Sequence, residues 1–393
     1  MQQDIWGDIF TQIPKEKFLE EYSGEQFLRS SSPCDFSKIL SWKDINDVLT
    51  YSNLKSPQVR VSLNNEIIPE SQYTIKESRR REATNYISPT LLSGFLKKGG
   101  VLVIDSIQEY IPSINRVAGE FSSIFNEKVQ VNCYIGGLNS SGFDIHWDDH
   151  DVVILQIFGE KEWEIRPPTR KYPLYDDLDQ NLKPPQSVTW SGTFKQGQSM
   201  YIPRGWWHKA FTTSSYSCHL TFGIPQRTWI DYFKYILDLC KEDEQFRSNV
   251  LNGKTANLDA ESFLEILKNK TKEYTNESFR KHYGSLFSPR VRHSLPYGLF
   301  GVQREFDVNS KIALSFFHRP EIFQTGESVF FSVFEKKYTF AKSTFHFFST
   351  LWNSSEPINI ERLVSLSKPA LDEDHVKELI TLLLEKGIVE LYT

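Results

Sequence analysis

The rhythm of apolar and polar positions changes three times along the chain, and the changes predict four regions: 1–90, 91–227, 228–300 and 301–393. The first region is mixed. A helix is expected from Ile13-Pro14-Lys15 to Tyr22 and another over Trp42–Leu49, while Gln58–Leu63 alternates and reads as a strand. The second region opens with the apolar run Val101–Ile104 and a stretch of helical spacing from Ile111 to Phe125. Strands are then expected over Val129–Ile135, His146–Ile157, Lys161–Ile165, Ser199–Ile202 and Ser217–Phe222. They are separated by Gly136-Gly137, Gly159-Glu160, Pro167-Pro168, Gly192, Gly197 and Pro203-Arg204-Gly205, and short strands with such punctuation predict a sandwich or barrel.

The third region is helical. Trp229–Cys240 would put Ile230, Phe233, Ile236 and Leu237 on one face. Leu258–Leu267 would group Phe263, Ile266 and Leu267, with Asp259 as cap. Apolar faces on such an insert predict packing against a partner chain, hence a homodimer. The end of the chain, Ala341–Thr393, reads helix, helix, helix, strand: Phe345, Phe348 and Leu351 face inward on the first, Ile360–Leu366 is the second, Leu379, Leu382 and Leu383 face inward on the third, and Gly387 ends it before Ile388–Tyr392. That order suggests a winged helix. Five basic against eight acidic residues in this stretch give the wrong sign for gripping phosphates, so a structural or protein-binding role is expected.

Composition narrows the class. A length of 393 residues exceeds what one small core needs, and 39% hydrophobic with 14% aromatic residues can fill several. The net charge of -5 implies no general affinity for nucleic acid or an anionic membrane. The basic run Arg79-Arg80-Arg81 is flanked by Glu77 and Glu82 and reads as solvated surface. Cys34, Cys133, Cys218 and Cys240 are widely spaced, which fits a reducing compartment rather than a disulfide framework or a structural zinc site. The opening MQQDIWGDIF has no signal-peptide pattern, and no apolar run reaches membrane-spanning length. A cytoplasmic, soluble protein is expected.

The densest chemistry is DIHWDDHD, from Asp144 to Asp151. On a strand, His146 and Asp148 would share a face and could converge on one ion, with Trp147 turned away. A third ligand must come from elsewhere, and His150, His208 and His219 are the candidates. His150 lies too far along the same strand, and His219 reads as a core histidine in an apolar strand. His208 is best placed, because YIPRGWWHKAF (Tyr201–Phe211) ends one strand, turns at glycine and enters another. In a double-stranded barrel that turn brings His208 to the earlier strand. Two imidazoles and one carboxylate would then occupy one face of a metal, as in the facial triad of non-haem Fe(II) oxygenases.

HWDDHDVVILQIFGEKEWEI (His146–Ile165) resembles the HxD segment of the JmjC-type ribosomal oxygenases of the cupin superfamily, and GQSMYIPRGWWHKAFT resembles their second-histidine segment. The resemblance extends over roughly residues 20–225, including SPQVRVSLNNEIIPESQYT, and over the helical and winged-helix order that follows. It implies a mainly β fold with helices: a double-stranded β-helix (jelly-roll) core at 91–227 preceded by a mixed α/β part at 1–90, a helical dimerisation-type domain at 228–300 and a winged helix at 301–393. It also implies Fe(II), 2-oxoglutarate and O2, with a protein or peptide substrate. By position in the family pattern, Lys161 corresponds to the cation that pairs with the distal carboxylate of 2-oxoglutarate, and Asn132 to a residue lining the cosubstrate pocket. Tyr134 and Thr221, at inward-facing strand positions, are candidate hydroxyl donors. Trp147, His150, Trp206 and Trp207 depart from the family's varied positions and predict an aromatic mouth, so the ribosomal substrate of relatives does not carry over.

Three functions follow. The first is hydroxylation of a protein or peptide side chain, on a ribosomal-protein-like or modified-peptide substrate, with 2-oxoglutarate converted to succinate and carbon dioxide. The second is demethylation of N-methyl-lysine or N-methyl-arginine, which an aromatic cage beside the metal would favour. The third is a non-catalytic cupin scaffold that binds partners, which loss of a metal ligand would favour.

Overall fold

A computed structural model of the chain describes residues 5–30, 34–52, 54–79, 82–140, 143–177, 182–244, 246–247, 249, 260–273, 279, 306–316, 322–333, 336–354 and 356–392. The chain divides into two units, Met1–Pro225 and Gln226–Thr393.

The first unit carries thirteen strands among the described residues: β1 (Leu28–Arg29), β2 (Val59–Leu63), β3 (Glu66–Ile67), β4 (Thr74–Arg79), β5 (Glu82–Ile87), β6 (Val101–Ile104), β7 (Gln130–Gly137), β8 (Asp151–Phe158), β9 (Glu160–Arg166), β10 (Trp190–Lys195), β11 (Ser199–Ile202), β12 (Trp207–Thr212) and β13 (Tyr216–Ile224). Eight form one sheet in the order β1-β11-β8-β13-β7-β6-β2-β3, and a second sheet has the order β10-β9-β12. β4 and β5 make a separate hairpin; of the basic run at its turn, Arg80 and Arg81 lie outside the described residues. The strands β1 to β3 thus complete the same sheet that β7, β8 and β13 centre.

Period-two alternation decides what lies between the two sheets. On β8, Val152 and Ile154 join Met200, Ile202, Trp163, Ile165 and Phe194 in the space between the sheets. Val153, Leu155 and Ile157 turn the other way, into a core shared with Ile114, Val117 and Phe121 of the helix Pro112–Phe125. Both faces of β8 are covered, which is why DVVILQIF is nearly continuously apolar. Strands β7 and β13 differ between their faces. Val131, Cys133 and Ile135 with Cys218, Leu220, Phe222 and Ile224 enter the helix-side core. Asn132 and Tyr134, directly opposite Thr221 and His219, take the other face. Burial of each aliphatic side chain contributes about 1.5–3 kcal/mol. A one-residue slip would exchange that face for the polar one, so the core also fixes which polar groups face the second sheet.

Several expected elements coincide with observed ones, notably Val101–Ile104, Ser199–Ile202 and Trp229–Cys240. The strand expected over His146–Ile157 is shorter and begins only at Asp151. Residues 147–150 are held instead by the turn before β12: the Gly205 N–H donates to the Asp148 carbonyl at 2.8 Å, and the Arg204 N–H donates to the Asp151 carboxylate at 2.9 Å.

In the second unit the helix Trp229–Cys240 is capped by a reciprocal Thr228–Asp231 box. Its buried side is Tyr232, Tyr235, Ile236 and Cys240, with both tyrosine rings against Phe279. Of the four residues expected to share one face, Ile230, Phe233 and Leu237 are exposed, whereas Ile236 is buried on the other side. The next helix is Ala260–Glu273; Asp259, expected as its cap, and residues 280–305 lie outside the described residues. Towards the C-terminus, helices Phe345–Asn353, Ile360–Ser367 and Glu373–Glu385 surround a separate core. A three-stranded sheet orders Ile358–Asn359, Lys311–Leu314 and Val389–Tyr392, and a meander joins Phe323–Thr325, Ser328–Val333 and Lys336–Ala341. Two helix faces are rotated from expectation. Phe347, Phe348, Leu351 and Trp352 are buried on the first, and Val376, Ile380, Leu383 and Leu384 on the third, while Phe345, Leu379 and Leu382 are half-buried.

Candidate metal centre

His146 and His208 meet as an isolated antiparallel bridge, with two backbone hydrogen bonds of 3.1 and 2.7 Å. This bridge, rather than a shared strand face, unites the triad. The His208 Nε2 lies 3.5 Å from an Asp148 carboxylate oxygen, and one ligand atom each from His146, Asp148 and His208 falls within 4.8 Å of the others. Among the described residues this is the one group of three or more metal-ligating side chains so clustered. Each imidazole is anchored at its other nitrogen. His146 Nδ1 is 2.7 Å from the Asp144 carbonyl, and His208 Nδ1 is 3.1 Å from the Trp206 carbonyl. A carbonyl can only accept, so Nδ1 carries the proton in both rings and Nε2 keeps its lone pair for a cation. Burial, and then the neighbouring His146, push the His208 pKa down to about 4, which keeps that lone pair available at neutral pH.

The turn that delivers His208 is braced from both sides. Gly205 has φ +81°, and a Cβ there would stand 2.8 Å from Pro173, so no other residue fits without displacement. Trp207 donates its indole N–H to Thr169 at 2.9 Å. Beneath the turn, buried Asp151 accepts from the Tyr201 hydroxyl and the Arg204 amide.

The triad opens onto a cavity of about 420 Å³ lined by Arg60, Gln130, Asn132, Tyr134, Phe143, His150, Lys161, Trp163, His219 and Thr221, among others. The four residues expected around a cosubstrate, Asn132, Tyr134, Lys161 and Thr221, therefore share one cavity with the three expected ligands. Lys161 is not a turn residue. It starts the inward phase of β9, in step with Trp163 and Ile165, and is 4% exposed. Its ammonium lies 3.0 Å from His219 Nδ1, and burial lowers its pKa to about 8. Burial likewise pushes Tyr134 up to about 12, so its hydroxyl stays a donor. The Asn132 carbonyl oxygen accepts from the Ser106 amide at 3.2 Å. Among the described residues the buried Trp163 indole N–H has no partner, the kind of orphan a bound polar ligand would satisfy.

Other expected positions fall differently. His150 lines the cavity but is turned from the triad: its Nδ1 bonds Asp149 at 2.9 Å, and its ring lies against Gly223, where a Cβ would come within 3.1 Å. Trp147, Trp206 and Trp207 do not line the cavity; Trp147 and Trp207 are buried, and Trp206 packs with Phe27. The expected tryptophan mouth is absent, because these rings fill the wall around the turn. His219 was expected as a satisfied core histidine and instead faces the cavity. Its signal was available in the alternation, since it is in phase with Thr221 and opposite Tyr134.

Comparisons with known proteins bear on the same segment. The JmjC domain family matches residues 106–232. The bifunctional lysine-specific demethylase and histidyl-hydroxylase NO66 of Drosophila willistoni is 26% identical over 207 residues, covering 51% of this chain and 26% of that protein. Ribosomal oxygenase 2 of Mus musculus is 30% identical over 169 residues, covering 41% and 36%. The chain thus spans about a third or less of the length of these relatives. Among solved structures, YcfD, a ribosomal oxygenase from Escherichia coli, superposes with a TM-score of 0.60 at 12% identity over 97% of this chain and 99% of that one. Its complex with cobalt and 2-oxoglutarate superposes with 0.59 at 11%. The fold is shared with these solved structures over 97% of the chain, and residues 106–232 match the JmjC domain family.

Proposed function

We propose that this protein is an Fe(II)- and 2-oxoglutarate-dependent oxygenase that hydroxylates an amino-acid side chain of a protein or peptide. The observation that carries the proposal is the pairing of two sites in one cavity: a His-Asp-His triad with both Nδ1 atoms tied to carbonyls, and a buried lysine. Two imidazoles and a carboxylate suit Fe(II) and leave coordination positions for other ligands. A buried ammonium needs an anion, and among the described residues no carboxylate pairs with Lys161. A dicarboxylate spanning the two sites meets both needs.

His146, Asp148 and His208 would hold the iron, Lys161 the distal carboxylate, and Asn132, Tyr134 and Thr221 the flanks of the cosubstrate. With O2, the iron and 2-oxoglutarate supply oxidation of a C–H bond, with succinate and carbon dioxide as coproducts. The protein's part is to hold one substrate C–H bond near the open side of the triad and to keep water out. Hydroxylation is favoured over demethylation by the cavity's aromatics. Tyr134 stacks on His219 with centroids 4.8 Å apart, and Trp163 meets the same ring edge-on at 5.7 Å, so both rings pack around an imidazole rather than grouping as the walls of a methylammonium cage. The C-terminal order of three helices and a three-stranded sheet supports a winged helix that binds protein. The exposed stripe of Trp229, Ile230, Phe233 and Leu237 supports a homodimer.

The test is incubation of the protein with Fe(II), 2-oxoglutarate and cell extract, with succinate measured and proteins searched by mass spectrometry. A one-oxygen gain on a defined residue is expected. Formaldehyde release without oxygen gain would move the assignment to demethylation, and absence of 2-oxoglutarate consumption in any extract would overturn it.

A further inference from the structure

Lys161 and His219 both line the cavity, are 4% and 5% exposed, and are not independent. A lysine ammonium has donors and no acceptor, so at 3.0 Å from His219 Nδ1 it must donate, and Nδ1 must be unprotonated. The neutral ring then carries its proton on Nε2. Burial, and then the adjacent ammonium, push the His219 pKa well down, which keeps the ring in this form. The ring cannot rotate away. Tyr134 lies parallel to it, at an interplanar angle of 7°, and Trp163 closes it edge-on. Its Nε2–H is thus a fixed donor on a cavity-lining residue, adjacent to a cation.

With 2-oxoglutarate as the cosubstrate proposed above, on which this step rests, we infer that His219 is a second, directional half of the distal-carboxylate site, holding Lys161 through Nδ1 and donating Nε2–H to the carboxylate. Lysine alone is a point charge on a flexible stem and does not set the orientation of a carboxylate. Two donors on fixed elements, one on β9 and one on β13, bind two oxygens and fix the far end of the molecule, and so the placement of its near end at the triad.

Two α-keto acids separate this role from a structural one. Calorimetric binding to the Fe(II)-loaded protein without oxygen would compare 2-oxoglutarate with pyruvate, which has the same chelating end and no distal carboxylate. For His219→Leu, 2-oxoglutarate affinity should fall about tenfold or more, the loss expected for a hydrogen bond to a charged group. Pyruvate affinity should change by less than about twofold, within the scatter expected when no contact is removed. His219→Gln, whose amide can accept from Lys161 and donate onward, should recover most of the loss. Unchanged 2-oxoglutarate binding in His219→Leu, an equal loss for pyruvate, or a Gln variant as weak as Leu each overturns the inference. A wild-type protein that binds pyruvate but not 2-oxoglutarate, or neither, overturns the proposed cosubstrate itself. Should the Leu variant not fold, nitrogen NMR of the wild type loaded with Zn(II) decides the premise. His219 should be protonated at Nε2, with that N–H shifting when 2-oxoglutarate is added; protonation at Nδ1, or no shift, refutes it.

Discussion

At the scale of single residues, the site makes separable demands. His146→Ala or Asp148→Ala removes one of three ligand groups and should abolish succinate formation from 2-oxoglutarate while leaving the fold intact; full turnover in either would exclude the triad. Lys161→Ala should raise the KM for 2-oxoglutarate, and an unchanged value would place the cosubstrate elsewhere. Lys161 also predicts a pH dependence. Its pKa is lowered to about 8 by burial, and the carboxylate binds the ammonium form. Above pH 8 binding must therefore take up a proton, so the dissociation constant for 2-oxoglutarate should rise by up to about tenfold per pH unit and level off below pH 8. Among the groups around the ammonium, His219 stays neutral through that range, and the hydrogen bond with Cys218, then burial, raises Cys133, so neither offsets the effect. Calorimetry between pH 7 and pH 9.5 measures it. The cluster of His146, Asp148 and His208 was legible in the sequence because few roles suit HxD followed by a distant histidine in a strand turn. His219 was not, because an imidazole in an apolar strand is usually judged by its neighbours at i±1, which face the opposite side of the sheet.

At the scale of elements, the sequence pattern located what is strongly periodic and misjudged what is held from outside. Val101–Ile104 and Ser199–Ile202 are short apolar runs between turn residues and were legible at both ends. β10 was not, because WSGTFK buries only Phe194 and shows no apolar run. The start of β8 was placed five residues early, since nothing in HWDDH shows that its backbone is pinned by a single bridge from His146 to His208 and by the Gly205 amide of the turn at 203–206 on Asp148, instead of a continuous ladder. That turn is accordingly the weak point of the metal centre. Gly205→Ala forces a side chain into a positive-φ position against Pro173, at a cost above about 1 kcal/mol. The expected result is a lower melting temperature and a larger loss of metal affinity than Gly326→Ala, a glycine with φ +55° and open space around its Cβ position. Equal metal affinity in the two variants would show that the turn does not position His208.

At the scale of the whole molecule, the polar chemistry described above draws all its groups from the first unit, Met1–Pro225. The second unit then has to be explained by something other than the site. Its helix Trp229–Cys240 is apolar on two sides. Tyr232, Tyr235, Ile236 and Cys240 are buried, whereas Trp229, Ile230, Phe233 and Leu237 stand 47–67% exposed. Sequence periodicity could not rank the two sides, because both carry large apolar residues at helical spacing. An exposed contiguous stripe of four such residues is a candidate association face. Association through it would bury the stripe against its own copy, as two-fold symmetry requires of a self-complementary patch. Phe233→Glu together with Leu237→Glu should therefore convert a dimer into a monomer in sedimentation equilibrium, while the affinity of the first unit for metal and 2-oxoglutarate stays as in the parent chain. A parent chain that is monomeric at high concentration, or a double variant that sediments as the dimer, would leave the stripe without this role.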